Sequence, residues 1–220
     1  MELTEALVAR RSVRGFRPEP VPRGVLAEIF GLAQRSPSWC NIQPWRVWVT
    51  SPPATARIAG ALTAAAESTP PNPDFAFPGT YPAPYDAHRR ACGKALYDAM
   101  GIAREDKAAR WDAWLRNFRG FDAPHLAFVA VDRAFGVYGA LDIGCWLESV
   151  LLLATERGVG SCAQAALATY PDIVRAELAV PSELGLLCGI ALGYEDSSIR
   201  ANACRTTREP LESNIVWVER

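Results

Sequence analysis

Two short stretches carry side chains that could do chemistry. Arg10, Arg11, Ser12 and Arg14 put three guanidiniums and a hydroxyl within five residues. A guanidinium is a rigid fork of donors that matches phosphate oxygens two at a time. Farther along, Pro37, Ser38, Asn41 and Gln43 form a loop of small polar groups closed by Pro44 and Trp45. Asn and Gln amides can read the mixed donor and acceptor edge of a heterocycle. One stretch suits a phosphate, the other the polar body of a ligand. Each also has a plain structural reading. Positive charge is favoured at a helix C-terminus, which accounts for Arg10 and Arg11 but not for Ser12 and Arg14. The second stretch, taken alone, is an ordinary turn.

The elements around them can be read in outline. Residues 4–10 suit a short helix capped by Thr4, with Leu3 and Leu7 on one face. Pro18, Pro20 and Pro22 make an extended linker, and Pro22 suits the first turn of the next helix. Val25, Leu26, Ile29, Phe30 and Ala33 give that helix an apolar stripe. Residues 45–50 alternate as a strand, and 54–67 read as a helix. Residues 68–84 are too proline-rich for a packed element and too aromatic, with Phe75, Phe77 and Tyr81, for a mere linker. They either close over a ligand or pack on themselves at the surface. Residues 86–118 are charged and helical, with a break at Gly101.

Residues 126–132 are a near-continuous apolar run, as expected of a central strand. Residues 138–157 are apolar on almost every face, so burial on all sides is expected, most easily with a partner subunit covering one of them. The glycines of 158–166 permit a tight loop and close backbone approach, yet the segment lacks the GxGxxG pattern and no strand precedes it. A helix at 171–178 and a strand at 186–194 follow. A last strand at 215–218 has no evident mate in its own chain, so it is expected to cross to another subunit's sheet.

The totals exclude several classes. The chain has 220 residues and a net charge of −1, which does not suit a general nucleic-acid binder. No run of 18 apolar residues argues for a membrane span, and the acidic start lacks the pattern of a signal peptide. The six cysteines form no CxxC, and His88 and His125 are the only histidines, so no metal site is expected. Several cysteines lie in apolar runs and read as buried free thiols, which fits a cytoplasmic location.

The ordered set of R-R-S-V-R at 10–14, then P-S-x-x-N-x-Q-P-W beginning 23 residues after Arg14, then a basic segment before the C-terminal tail, resembles the FMN-dependent nitroreductase family. The resemblance spreads over nearly the whole chain. It implies an α+β fold of three layers, α/β/α, around a mixed, mostly antiparallel sheet, with the C-terminal strand exchanged between subunits of a homodimer. It implies one FMN-binding domain over residues 1–220, with an excursion at about 68–120. It further implies an NAD(P)H-dependent oxidoreductase, using NADH or NADPH to reduce small nitroaromatic compounds by ping-pong hydride transfer through flavin N5.

By the same resemblance, Arg10, Arg11, Ser12 and Arg14 hold the phosphate and ribityl chain, and Arg14 lies at the flavin N1/O2 edge. Positive charge there favours the reduced anion. Pro37, Ser38, Asn41 and Gln43 serve the other subunit's flavin. Gln164, Ala165 and Ala166 match the segment whose main chain meets N5 and O4. Arg205 and Arg208 complete the phosphate site. No catalytic acid side chain is implied, because hydride enters and leaves at the flavin. Trp39 departs from the family by its size. Tyr81, Pro82, Pro84 and Tyr85, with Arg89 and Arg90, look like the nitrobenzoate-reductase branch, where Arg89, Arg90 or Arg119 would either bind a substrate carboxylate or be surface charge. Within the same fold the reaction could instead be dehalogenation, enone reduction or flavin fragmentation. A non-catalytic flavin-binding protein is the remaining alternative.

Overall fold

Strand β2 (His125–Asp132) decides the architecture. Its side chains alternate between two separate cores. Leu126, Phe128 and Ala130 enter one, and Ala127, Val129 and Val131 enter the other. A strand buried on both faces must be central and covered by a layer on each side. The computed structural model describes residues 1–219 and shows that arrangement. β2 lies between β1 (Arg46–Val49) and β4 (Leu184–Gly193), and β3 (Gly160–Gln164) lies outside β4. All three ladders are antiparallel. The sheet expected from sequence, mostly antiparallel, is the one observed, and the parallel pairing among the described residues is the single bridge between Ser12 and Ser161.

Helices α3 (Pro52–Ser68) and α7 (Pro171–Leu178) cover one face through Ile58, Leu62 and Val174. Helices α2 (Arg23–Ala33) and α6 (Gly136–Glu156) cover the other through Ile29, Ile143, Trp146 and Val150. The Trp146 ring stacks against both Phe30 and Trp45, with centroids 6.1 and 6.2 Å away. His125 locks the proline linker to the sheet. Its Nε2 accepts the Val21 amide at 3.0 Å, so Nδ1 donates to the Thr50 carbonyl at 3.0 Å.

Several boundaries differ from the sequence reading. Helix α1 (Leu3–Ala9) starts before Thr4, and the Glu2 amide donates to the Glu5 carboxylate at 3.0 Å. Leu3 and Leu7 are exposed, so their face is not buried within the chain. Pro22 stands just outside α2 rather than in its first turn. Helix α6 buries one face only, leaving Tyr138, Leu141 and Cys145 exposed. Its residues with the turn before it would by length and mean hydropathy (1.5) suffice to cross a membrane, yet the buried face is built into the core. Residues 160–164, read as loop, are β3, whose small residues fit an edge strand but give little strand signal. The strand expected at 215–218 has no ladder in the single chain, and Trp217 is 76% exposed.

The excursion has a fixed base and an open body. Asp74 bonds Arg133 and Arg175, each at 2.6 Å, and accepts the Leu186 amide at 2.7 Å. Burial alone would raise the Asp74 carboxyl. The Leu186 amide, Arg175 and Arg133 together hold it below its ordinary value. Beyond this anchor come α4 (Tyr85–Met100) and α5 (Lys107–Leu115). No residue of α4 is buried, and α5 buries Leu115. Gly101 ends α4 in the left-handed conformation, φ 71°, that glycine takes without strain.

Candidate functional site

Helix α1 delivers the basic stretch to the rim of the sheet. After Ala9 the chain turns extended, and the Val13 amide donates to the Ser161 carbonyl at 2.9 Å. That pairing lays Ser12 alongside the start of β3. Asn202 then fixes the turn. Its Oδ1 accepts the Arg14 amide at 2.6 Å, and its Nδ2 donates to the Gly15 and Asp196 carbonyls, both at 2.8 Å. Asn202 is 5% exposed and was not singled out from sequence. Its signal is faint: one Asn three residues before a basic segment, with nothing local to show that it reaches back to residue 14.

The same turn brings the distant basic segment in. Arg10, Arg11, Ser12, Arg14, Arg205 and Arg208 line one cavity of about 420 Å³, together with Cys92, Cys204 and Thr206. None of the residues lining it is acidic. Arg11 is paired with Glu195, and Arg10 meets Glu148 only loosely at 3.6 Å. Arg205 donates to the Asn202 and Cys204 carbonyls at 2.8 and 2.9 Å, and Arg208 to Thr206 Oγ1 at 3.0 Å. Arg14, Arg205 and Arg208 have no carboxylate partner among the described residues. Guanidiniums gathered without acids are suited to a multiply charged phosphate. Burial pushes the Cys162 thiol up, and the Arg14 charge and the Ser12 hydroxyl offset that only in part. That thiol therefore marks how closely β3 abuts the basic turn.

From Ser161 the strand runs about 13 Å to Ala165, at about 3.3 Å per residue. There it enters a 3₁₀ turn, Ala165–Ala168. The Ala165 and Ala166 amides open that turn and have no acceptor among the described residues. Gln164 is buried, donates to the Asn117 carbonyl at 3.0 Å, and leaves its Oε1 without a partner. So β3 joins a cationic cavity at one end to free main-chain donors at the other. An elongated ligand with one phosphate and a heterocyclic head matches that donor set, and FMN has this form.

The second polar stretch lies elsewhere. Residues 36–43 are held on the flank of α6: the Trp39 amide donates to both Asp142 oxygens at 3.1 Å, and Ser36 Oγ donates to Ser149 Oγ at 2.8 Å. Cys40, Asn41 and Gln43 all have positive φ. For Cys40 and Gln43 this is a strained conformation, of the sort held at binding sites by surrounding bonds. The Gln43 amide donates to Ser38 Oγ at 3.0 Å. Pro37, Ser38, Asn41 and Gln43 do not line the basic cavity of their own chain. Trp39 is exposed and packs edge-on against Tyr138, centroids 4.8 Å apart. All six cysteines are free, and Cys162 alone falls among the buried residues, fewer than expected. Cys188 is half-buried against the core, and desolvation at its sulfur raises that thiol to about 12.

Comparison with known proteins bears on this site. The sequence model described as Nitroreductase family matches residues 7–194. The chain is 36% identical over 203 residues to a protein named nitroreductase NfnB of Mycolicibacterium smegmatis, covering 92% of this chain and 86% of that one. It is 33% identical to a 4-nitrobenzoate reductase of Nocardioides sp., covering 99% and 91%. Among solved structures it resembles the FMN and NADPH-dependent nitroreductase NfnB from Sphigopyxis sp. strain HMH, with a TM-score of 0.95, 38% identity and 99% of each chain covered.

Proposed function

The chain belongs to the nitroreductase family, and on that premise we propose that it is an NAD(P)H-dependent FMN oxidoreductase that reduces nitroaromatic compounds. The observation that carries this reading is the acid-free cavity of arginines joined by β3 to the free amides of Ala165 and Ala166. Bound FMN supplies hydride transfer between the nicotinamide and the nitro compound. The chain's own residues bind, orient and shield. Arg10, Arg11, Ser12, Arg205 and Arg208 hold the phosphate. Arg14 places positive charge at the pyrimidine edge. Ala165 and Ala166, with Gln164 ahead of them, offer main-chain donors to the ring. Residues 1–220 act as one FMN-binding unit, and its free thiols suit the cytoplasm.

The unit works as a homodimer. Apolar side chains are left open on α1 (Leu3, Leu7, Val8), on α6 (Tyr138, Leu141) and on the tail (Val216, Trp217, Val218). Such patches mark interaction surfaces. The outer edge of β1 has no strand partner among the described residues. A partner's residues 215–218 would fill an edge of this kind, and a partner's Pro37, Ser38, Asn41 and Gln43 would complete each flavin site. Purified protein is expected to be yellow, to release FMN on denaturation, and to oxidise NADH or NADPH with a nitroaromatic acceptor. Colourless protein that takes up no FMN would sink the assignment. Truncation after Pro210 should cost both the dimer and the flavin; a truncated monomer that still reduces the nitroaromatic would overturn the assembly alone.

A further inference from the structure

Gln164 ends β3, immediately before the 3₁₀ turn Ala165–Ala168. Strand alternation exposes Ala163 and Ala165 and turns the Gln164 side chain inward. There its Nε2 donates to the Asn117 carbonyl at 3.0 Å. That same carbonyl accepts the Gly120 amide at 3.1 Å and so opens the turn that joins α5 to β2. The turn is strained. Gly120, Phe121 and Asp122 follow one another with φ of 57°, 56° and 66°, and Phe121 is bulky for the left-handed region. Such a run persists where surrounding contacts fix it. The Phe121 amide donates to the Arg116 carbonyl at 2.9 Å, and Asp122 pairs with Arg116 and Arg119 at 3.4 and 3.2 Å. Phe118 packs on Tyr170 with centroids 5.7 Å apart. Gln164 adds a side-chain bond that ties this turn to the segment of Ala165 and Ala166. Its other amide atom argues that the bond is not there for stability. Oε1 is buried and has no partner among the described residues. Burying an amide oxygen unpaired costs free energy, and an apolar side chain of the same length escapes that cost. The Asn117 carbonyl would still keep the Gly120 amide.

We propose that Gln164 is a positioning residue: its side chain fixes the end of β3 against the Asn117 carbonyl and so aims the Ala165 and Ala166 amides at the flavin ring. The inference rests on the FMN oxidoreductase reading. A hydrogen bond weakens steeply as donor and acceptor lose alignment. The outward side of this segment is open, so the hold on it comes from the inward side, where Gln164 points. The same bond works in the other direction. Ordering the ring segment orders the end of α5 to which it is tied.

The test uses Gln164→Met, which keeps the length of the side chain and removes the donor. Without flavin the variant should melt no lower than the parent. Its FMN dissociation constant should rise on the order of tenfold, as expected when one hydrogen bond is lost or misaligned. The visible absorption bands of its bound flavin should move toward those of free FMN. In the parent, adding FMN should slow hydrogen exchange over residues 107–120, and the variant should lose most of that slowing. A variant that holds FMN with the parent's affinity and the parent's bands would overturn the proposal. So would a variant that melts lower while its bound flavin keeps the parent's bands, since the side chain would then be structural alone. If the variant does not fold, the parent decides: no slowing over residues 107–120 on addition of FMN overturns the proposal. A parent protein that takes up no FMN would instead defeat the oxidoreductase reading.

Discussion

The sheet and the excursion are built on opposite terms. In β2, 7 of 8 residues are buried. In α4, none of 16 is. The sheet is held by apolar packing on both faces. The excursion is held by its anchor at Asp74, by ion pairs along α4, and by single contacts such as Arg110 on Tyr97. The arginine cavity lies where the two meet, since its lining runs from Arg10 and Ser12 beside β3 to Cys92 on α4. A rigid half can hold a cofactor in place while a lightly held half adjusts to what enters. The contrast is a matter of energetics, so it can be broken by measurement.

Phe128→Ala should have the largest effect. The ring is fully buried, and a Phe-to-Ala cavity in a close-packed core costs about 4 kcal/mol. Urea unfolding should show that loss in a single transition. A loss below about 1 kcal/mol would mean that the sheet is not the stable half.

Asp74→Ala comes next and tests the anchor. The carboxylate is buried, and its removal leaves Arg133 without a carboxylate partner among the described residues and Arg175 with only Asp172, at 3.2 Å. The expected cost at neutral pH is about 3 kcal/mol, with hydrogen exchange rising over residues 70–120 more than in the sheet. The pH dependence has a defined sign. The folded Asp74 carboxyl lies below the ordinary 3.8, so its contribution is present above that pH and lost as pH falls through the folded value. The gap between parent and variant should therefore narrow in acid. A gap that widens as pH falls would reverse the assigned role.

Arg10→Ala and Arg89→Ala separate the two faces of α4. Arg10 lines the arginine cavity; Arg89 lines a separate cleft along α4 and is bonded to Asp86. Losing a charge-assisted phosphate contact should weaken FMN binding by about 2 kcal/mol for Arg10→Ala, with little change for Arg89→Ala. Equal FMN dissociation constants would remove the basic turn from the cofactor site.

The two halves were also unequally legible in sequence. The apolar run of 126–132 and the helix at 171–178 signal themselves locally, and they appear as β2 and α7 within two residues. The arginine pattern was legible because arginines gathered without acids have a chemical meaning before any fold is known. What failed was whatever depends on distant partners. β3 is written in Gly, Ser, Cys and Ala, and only its ladder with β4 makes it a strand. Asn202 acts on residues 14 and 15, far away in the chain. The open face of α6 looks buried in sequence because an apolar run carries no mark of which of its faces the fold covers.

The smallest expected effect sharpens the contrast most. Tyr97 sits on α4, half-buried, beneath the Arg110 guanidinium of α5. An exposed cation–π contact contributes about 0.5–1 kcal/mol. In a sheet residue, truncation would add a cavity cost to the lost contact. At Tyr97 there is no closed shell to collapse, because α4 has no buried position. Tyr97→Ala should therefore lower global stability by less than about 1 kcal/mol, while exchange in α5 quickens because the ring that braces Arg110 is gone. The measurement is hydrogen exchange resolved by segment, set beside a thermal melt. If the melt falls as far as it does for Phe128→Ala, α4 is part of the cooperative core, and the division between a stable sheet and a lightly held excursion is wrong.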